Sequence, residues 1–267
     1  MKTSFVERTI AGLSNGMDFA AFADTSAQAR TGLLQRVDPR VKVAGILALI
    51  VAVATTHSLV AITAVFLLAV ALAVASRVSP MDLAKWVWMP VLLFSGLIAL
   101  PAVFLTPGDR LGSLPVTAQG LRTASFLLLR AETAVSLSSL LVLTTRWAHL
   151  LKALRVLRLP VVLVVILGMT YRYIFLMLET ALDMFESRES RTVGVLEPAD
   201  RRRLASATVG VLLSKSYQLS SEVHLAMQSR GFRGEVYLLD EFAARSVDWL
   251  WLGFFFAVAA TAAWVGR

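Results

Sequence analysis

The sequence predicts an all-α polytopic membrane protein, with about five transmembrane helices and a cytoplasmic domain of long amphipathic helices. Three observations predict it. Of 267 residues, 57% are hydrophobic and only 16% charged, with a mean hydropathy of +0.70; a soluble domain of this size is less apolar. The apolar residues fall in runs long enough to cross hydrocarbon, separated by short polar breaks. The basic residues, which give the chain a net charge of +8, gather at alternate breaks, as the positive-inside rule requires.

The elements follow in order. Residues 1–42 read as an N-terminal cytoplasmic or interfacial segment that closes in Arg30, Arg36, Arg40 and Lys42. MKTSFVERTIAGLSNG at its start lacks the apolar core of a signal peptide. Transmembrane helices are expected over 43–145. The first apolar run, Val43 to Ala75, is too long for one span at about 1.5 Å per residue across a core of about 30 Å. Thr55, Thr56, His57 and Ser58 interrupt it, so two short spans joined by a tight turn are expected. Arg77, Asp82 and Lys85 follow, then a third span from about Trp86 to Phe104. LTPGDRLGSLPVTAQG reads as a loop from its glycines and prolines. A fourth span runs from about Thr123 to Leu143, and Arg146, His149, Lys152, Arg155 and Arg158 come after it.

Charge sets direction. The positive-inside rule puts the N-terminus, 77–85 and 146–158 in the cytoplasm. The apolar stretch VVLVVILGMTYRYIFLMLE at 161–179 is long enough to span but carries Arg172 near its middle. A crossing there would put a long, basic, charged region outside. The reading that costs less is a buried or interfacial helix on the cytoplasmic side, with Arg172 at a polar contact; the alternative is a sixth span. The cytoplasmic domain then covers 146–242. A C-terminal transmembrane helix lies in 243–267, with its apolar run from Trp249 to Val265 and the C-terminus outside.

Two long helices are expected in the cytoplasmic domain. The first begins with Pro160 at its first position and runs to about Arg191, with Gly194 beyond. The second starts near LEPADRRR, signalled by Pro198 and Asp200, and ends at Gly231. Leu204, Val211, Leu212, Leu219, Val223, Ala226 and Met227 fall on one face of it, which packs most simply on the first helix. The two helices end alike, in FESRESRT and LAMQSRGFRG. Each places Ser-Arg in its last turn: Ser190-Arg191 and Ser229-Arg230. A cation there complements the helix dipole, and a lone one needs no further account. Two matched tips read as a docking surface, because guanidinium groups suit bidentate contacts with a partner's carboxylates.

Signs of chemistry are few. GVLLSKS at 210–216 lacks the second glycine and the spacing of a phosphate-binding loop. The chain has no cysteine, and His57, His149 and His224 are scattered, so no metal site is expected, with His57 on the outer side the one candidate kept open. Arg130 and Glu132 lie within the fourth span. Two apart on a helix, they face differently and are not each other's partner; pairing of each with another helix for assembly competes with a transport pathway.

At VDPRVKV (37–43), LLLRAETAVSLSSLLVLTTR (127–146), LRLP followed by TYRYIFLMLE (157–179) and AMQSRGF (226–232), the sequence resembles the transmembrane T component of energy-coupling factor (ECF) transporters. It is most similar to the CbiQ branch, which serves cobalt and nickel uptake. The resemblance implies membrane helices plus a cytoplasmic coupling domain. It implies a non-catalytic coupling subunit of an importer in the multi-pass cell (inner) membrane, with no nucleic acid partner and no cofactor of its own. Two ABC-type ATP-binding subunits would bind ATP and Mg²⁺, and a membrane-embedded substrate-capture subunit would be moved. In that family two coupling helices end in Ala-Arg-Gly-like motifs that enter the ATP-binding subunits. Arg191 and Arg230 would be those arginines, with Ser190 and Ser229 in the alanine positions and Gly231 matching the second glycine. Thr192 departs from the first glycine, and Arg188 is a rival to Arg191. A vitamin-type ECF system is the nearest alternative. A stand-alone secondary transporter or channel, which would want inverted repeats, and an intramembrane enzyme, which would want paired catalytic residues, are further ones.

Overall fold

Polar side chains set the helix ends, and the helix ends set the turns. In the computed structural model the described residues are 32–106, 117–156, 159–191, 197–232 and 246–266, together with Gly12. The expected N-terminal segment before Gly32, the loop at 107–116, and Thr192 with Gly194 lie outside them. A single 3₁₀ turn at Leu34–Arg36 leads into the first helix. There Asp38 accepts the N–H of Arg40 at 2.8 Å and Pro39 follows, so α1 runs from Pro39–Thr55. Thr56 is extended, and Ser58 caps α2, Leu59–Ala75. The apolar run is therefore two helices of 17 residues each, about 26 Å long and near the lower limit for a span.

Pro80–Leu83 opens the next helix, which passes through a π-helical turn at Ala84–Trp88 and continues as α3, Met89–Leu105. Helix α4 is Ala118–Thr144, with the Thr117 hydroxyl accepting from Gly120 N–H at 3.1 Å. It begins earlier than the expected Thr123, and Ala118 to Gly120 are helical rather than loop. Gly120 is there for close approach: a Cβ on it would lie 2.7 Å from the Ala102 carbonyl oxygen. The remaining helices are α5 (Trp147–Val156), α6 (Val161–Glu189), α7 (Pro198–Ser229) and α8 (Ser246–Val265). Pro160 caps α6 instead of occupying its first position.

The described residues form two compact units. One holds α6 and α7; the other holds α1 to α4, α5 as far as Leu154, and α8. In the larger unit α4 touches α1, α2 and α3, while α8 lies on α1 and α2. Ile46, Leu49, Val53, Ile62, Leu137 and Phe255 are at the centre of its core. Helix α8 comes close because position 45 is glycine. A Cβ there would sit 2.4 Å from the ring of the fully buried Phe255, and small residues govern helix approach where water gives no hydrophobic drive. Gly45→Val is expected to destabilise the bundle by about 1–3 kcal/mol, read as a lower unfolding midpoint in detergent. Gly253→Val, where a Cβ meets nothing within 4 Å, is the control. Equal effects would sink the packing account.

Hydrogen bonds fix the relative directions of α1, α4 and α8. Asp38 N–H donates to Asp248 Oδ1 at 3.0 Å, joining the starts of α1 and α8. At the far end the Thr56 hydroxyl donates to Ala262 O at 3.2 Å, and His57 N–H to Gly266 O at 3.1 Å. Helices α1 and α8 are thus parallel. Lys42 Nζ donates to Thr144 O at 3.0 Å and Arg130 Nη2 to Thr56 O at 2.7 Å, so α4 is antiparallel to α1. Thr144 and Asp248 therefore lie at the same end of the bundle.

Candidate functional site

Among the described residues, Ala84–Phe104, Ala118–Thr144, Val161–Arg188 and Ser246–Val265 are long and apolar enough to cross a bilayer, and Leu59–Ala75 is a shorter apolar helix. Val161–Arg188 is most of α6. Its length and composition permit a crossing. Helix α7 is mixed polar and charged, with Arg201, Arg202, Arg203 and Lys215, and is not among the four. Arg172 is exposed, without the expected polar contact among the described residues.

Helices α6 and α7 have 29 and 32 residues, about 44 and 48 Å at 1.5 Å per residue. They touch each other. Their buried residues flank the connection between them: Ala181 and Phe185 on α6, Leu204 and Thr208 on α7. Beyond Thr208 the covered line of α7 thins to the half-buried Leu212, Ser216, Leu219, Val223 and Met227. Steps of four residues over-advance a 3.6-residue turn, so this line drifts around the helix. That drift leaves Val211 and Ala226 exposed, although the sequence placed both on the packing face. Val209, Leu213, Tyr217 and Leu225 are exposed as well.

The two tips share their local geometry. Ser190 Oγ donates to Ser187 O at 2.9 Å, and Ser229 Oγ donates to Ala226 O at 2.9 Å. Arg191 N–H meets Arg188 O at 3.1 Å, as Arg230 N–H meets Met227 O at 3.2 Å. Each serine thus bonds three residues back, and so does each following arginine. Arg188 sits in the last turn of α6, one residue before its end at Glu189 and three before Arg191. After Arg230 the chain closes on Gly231 at φ +74. Gly231 N–H donates to Gln228 O and Phe232 N–H to Met227 O, each at 3.0 Å, a Schellman ending that glycine suits. Ser190, Arg191, Ser229, Arg230 and Gly231 are all exposed.

The intramembrane charges part ways. Arg130 finds its partner in another helix, at the last carbonyl after α1. Lys42, 2% exposed, does the same at the end of α4. Glu132 does not: it is 6% exposed, and both carboxylate oxygens are buried without a hydrogen-bond partner among the described residues. His57 is exposed, and no group of three or more potential metal ligands occurs among the described residues.

The CbiQ family model, described as cobalt transport protein, matches residues 31–238. An uncharacterized protein of Methanocaldococcus jannaschii is 31% identical over 239 residues, covering 86% of this chain and 80% of that protein. The cobalt transport protein CbiQ of Rhodobacter capsulatus is 29% identical over 171 residues, 59% of this chain and 67% of its own. The energy-coupling factor transporter transmembrane protein EcfT of Listeria innocua is 25% identical over 215 residues, 75% of this chain and 81% of its own. With a helical bundle of apolar spans and a separate pair of long helices beneath that match, the chain belongs to the CbiQ cobalt transport protein family, the CbiQ-like branch of the ECF transmembrane T components.

Proposed function

We propose that this chain is the non-catalytic coupling subunit of a cobalt or nickel importer. In this reading α6 and α7 lie on the cytoplasmic side, the N-terminus is cytoplasmic and Gly266 is outside. ATP and its Mg²⁺ bind in two partner ATPase subunits. Their closure moves the tips at Arg191 and Arg230, and the exposed apolar sides of α6 and α7 pass that motion to a membrane-embedded capture subunit. The observation that carries the reading is the repeated tip geometry: two long helices in contact, each ended by a serine and an arginine with the same backward bonds. It favours Arg191 over Arg188 as the counterpart of Arg230.

Reconstitution tests this. The chain alone in proteoliposomes is expected neither to hydrolyse ATP nor to accumulate Co²⁺ or Ni²⁺. Adding the ATPase and capture subunits is expected to give ATP-dependent uptake. Accumulation of either metal by the chain alone would favour the stand-alone transporter. Uptake of a vitamin but no metal by the full complex would move the cargo to the other ECF class.

A further inference from the structure

On the Thr56 side the helices of the bundle end at two different heights. The rings of Phe66 and Trp88 meet at 5.4 Å, which sets α2 against α3. Toward the Thr56 side, His57 lies nine residues before Phe66 and Leu97 nine residues after Trp88, each about 13 Å from that contact at 1.5 Å per residue. His57 and Leu97 therefore share one height, and both are exposed. Helix α3 runs on for eight more residues, all apolar, to Leu105, about 12 Å further. Of these, Ile98, Leu100 and Phe104 are exposed. A second register agrees: Arg130 Nη2 donates to Thr56 O, and α4 extends twelve residues beyond Arg130 to Ala118, about 18 Å. The ends of α3 and α4 stay together there, with the Ala102 carbonyl against Gly120. Helix α8 ends level with the turn instead. Gly266 O accepts from His57 N–H, and Trp264, two residues earlier, is exposed; tryptophan favours the membrane–water boundary.

A flat bilayer does not suit both heights. With its boundary at Leu105, the turn at Thr56 to Ser58 would lie in hydrocarbon, where lipid-exposed irregular backbone does not occur. With its boundary at His57, the exposed Ile98, Leu100 and Phe104 would stand in water. A span shorter than the local hydrocarbon is accommodated by thinning the bilayer, and α1 and α2 have only 17 residues each. We propose that the chain binds a bent lipid surface: the leaflet on the Thr56 side dips by about 12 Å at the α1–α2 turn and the end of α8, and keeps its full height along α3. Phospholipid headgroups and their water occupy the dip and contact His57, Trp264 and the exposed Thr55. The dip goes beyond the coupling role and does not depend on which face is cytoplasmic.

Single thiols report the depth, because the chain has no cysteine of its own. His57→Cys, Leu97→Cys and Leu100→Cys are placed one at a time in the full chain, in nanodiscs of phosphatidylcholine and phosphatidylglycerol that are open to water on both faces. All three positions are exposed, and the bond from the backbone of residue 57 to Gly266 O survives the substitution. A charged maleimide is expected to react at least tenfold faster at position 57 than at 97 or 100. A bimane on each thiol reads the lipid. At 57 it is expected to be quenched by lipid with a nitroxide on its headgroup, and at 97 and 100 by lipid with a nitroxide in mid-chain. Fast reaction at all three positions would mean a flat boundary at the turn, and slow reaction at all three a flat boundary at Leu105; either overturns the proposal. Fast reaction at 57 without headgroup quenching would mean a water pocket closed to lipid, and overturns it as well. No ATPase or capture subunit enters the measurement, so its failure leaves the coupling reading standing.

Discussion

Reversing Arg191 and Arg230 together to glutamate is expected to strip the ATP-binding subunits from the chain while leaving its helices formed. Both side chains are exposed at helix ends, where a cation contributes little to the fold beyond its favourable place in the helix dipole. In the proposed ATPase interface both would be buried, and there the balance changes. Removing one partner of a buried, hydrogen-bonded charge pair costs about 2–5 kcal/mol, and reversal adds repulsion. At tenfold per 1.4 kcal/mol, losing both is expected to weaken the complex at least about a thousandfold. Copurification with wild-type ATPase subunits reads the result, and circular dichroism confirms the helices. The single variants rank the tips. Arg188→Glu is expected to have the smaller effect, because Arg188 lies three residues before Arg191, at the position that matches Met227 rather than Arg230. If the double variant keeps its ATPase and its uptake, the tips are ordinary helix ends.

That ranking shows where sequence reading stops. Ser190-Arg191 and Ser229-Arg230 are visible in the letters, and so is the break at Thr56 to Ser58, because hydroxyl side chains both interrupt an apolar run and cap the next helix. What the letters lack is the identity of distant partners. Lys42 and Arg130 meet backbone carbonyls, at Thr144 and Thr56, and a carbonyl leaves no mark on the sequence. Gly120 looked like loop because glycine disfavours helices; the close neighbour that makes it useful, the backbone of α3 at Ala102, is eighteen positions away. Glu132 resisted for the converse reason: an intramembrane charge implies a partner, and only the folded bundle shows that the described residues supply no hydrogen bond to it. The drift of the covered line on α7 belongs to the same class. Periodicity gives a face, but a face held over 32 residues needs the true winding of its contacts.

The two cations that cap across the bundle give the last prediction. Helices α1 and α4 run antiparallel, and each supplies the cap for the other: Lys42 of α1 donates to the last carbonyl of α4, and Arg130 of α4 donates to the carbonyl just past α1. Each group sits at a helix C-terminus, where a cation is favoured and carbonyls lack an intrahelical donor. Lys42→Met keeps the stem and removes the donor, leaving Thr144 O unmatched beside the buried Thr144 side chain. A buried acceptor without a donor costs about 1–3 kcal/mol, so the unfolding midpoint of Lys42→Met is expected to fall by several degrees in detergent or nanodiscs. Arg130→Met is expected to fall by a similar amount. The two sites are fourteen residues apart along α1, about 21 Å, and share no partner. Their effects are therefore expected to add within about 0.5 kcal/mol. Additivity is the discriminating outcome. Independent caps add, whereas a strong coupling energy in the double variant would mean that the α1 and α4 contact moves as one piece, and that loosening either end already frees the other.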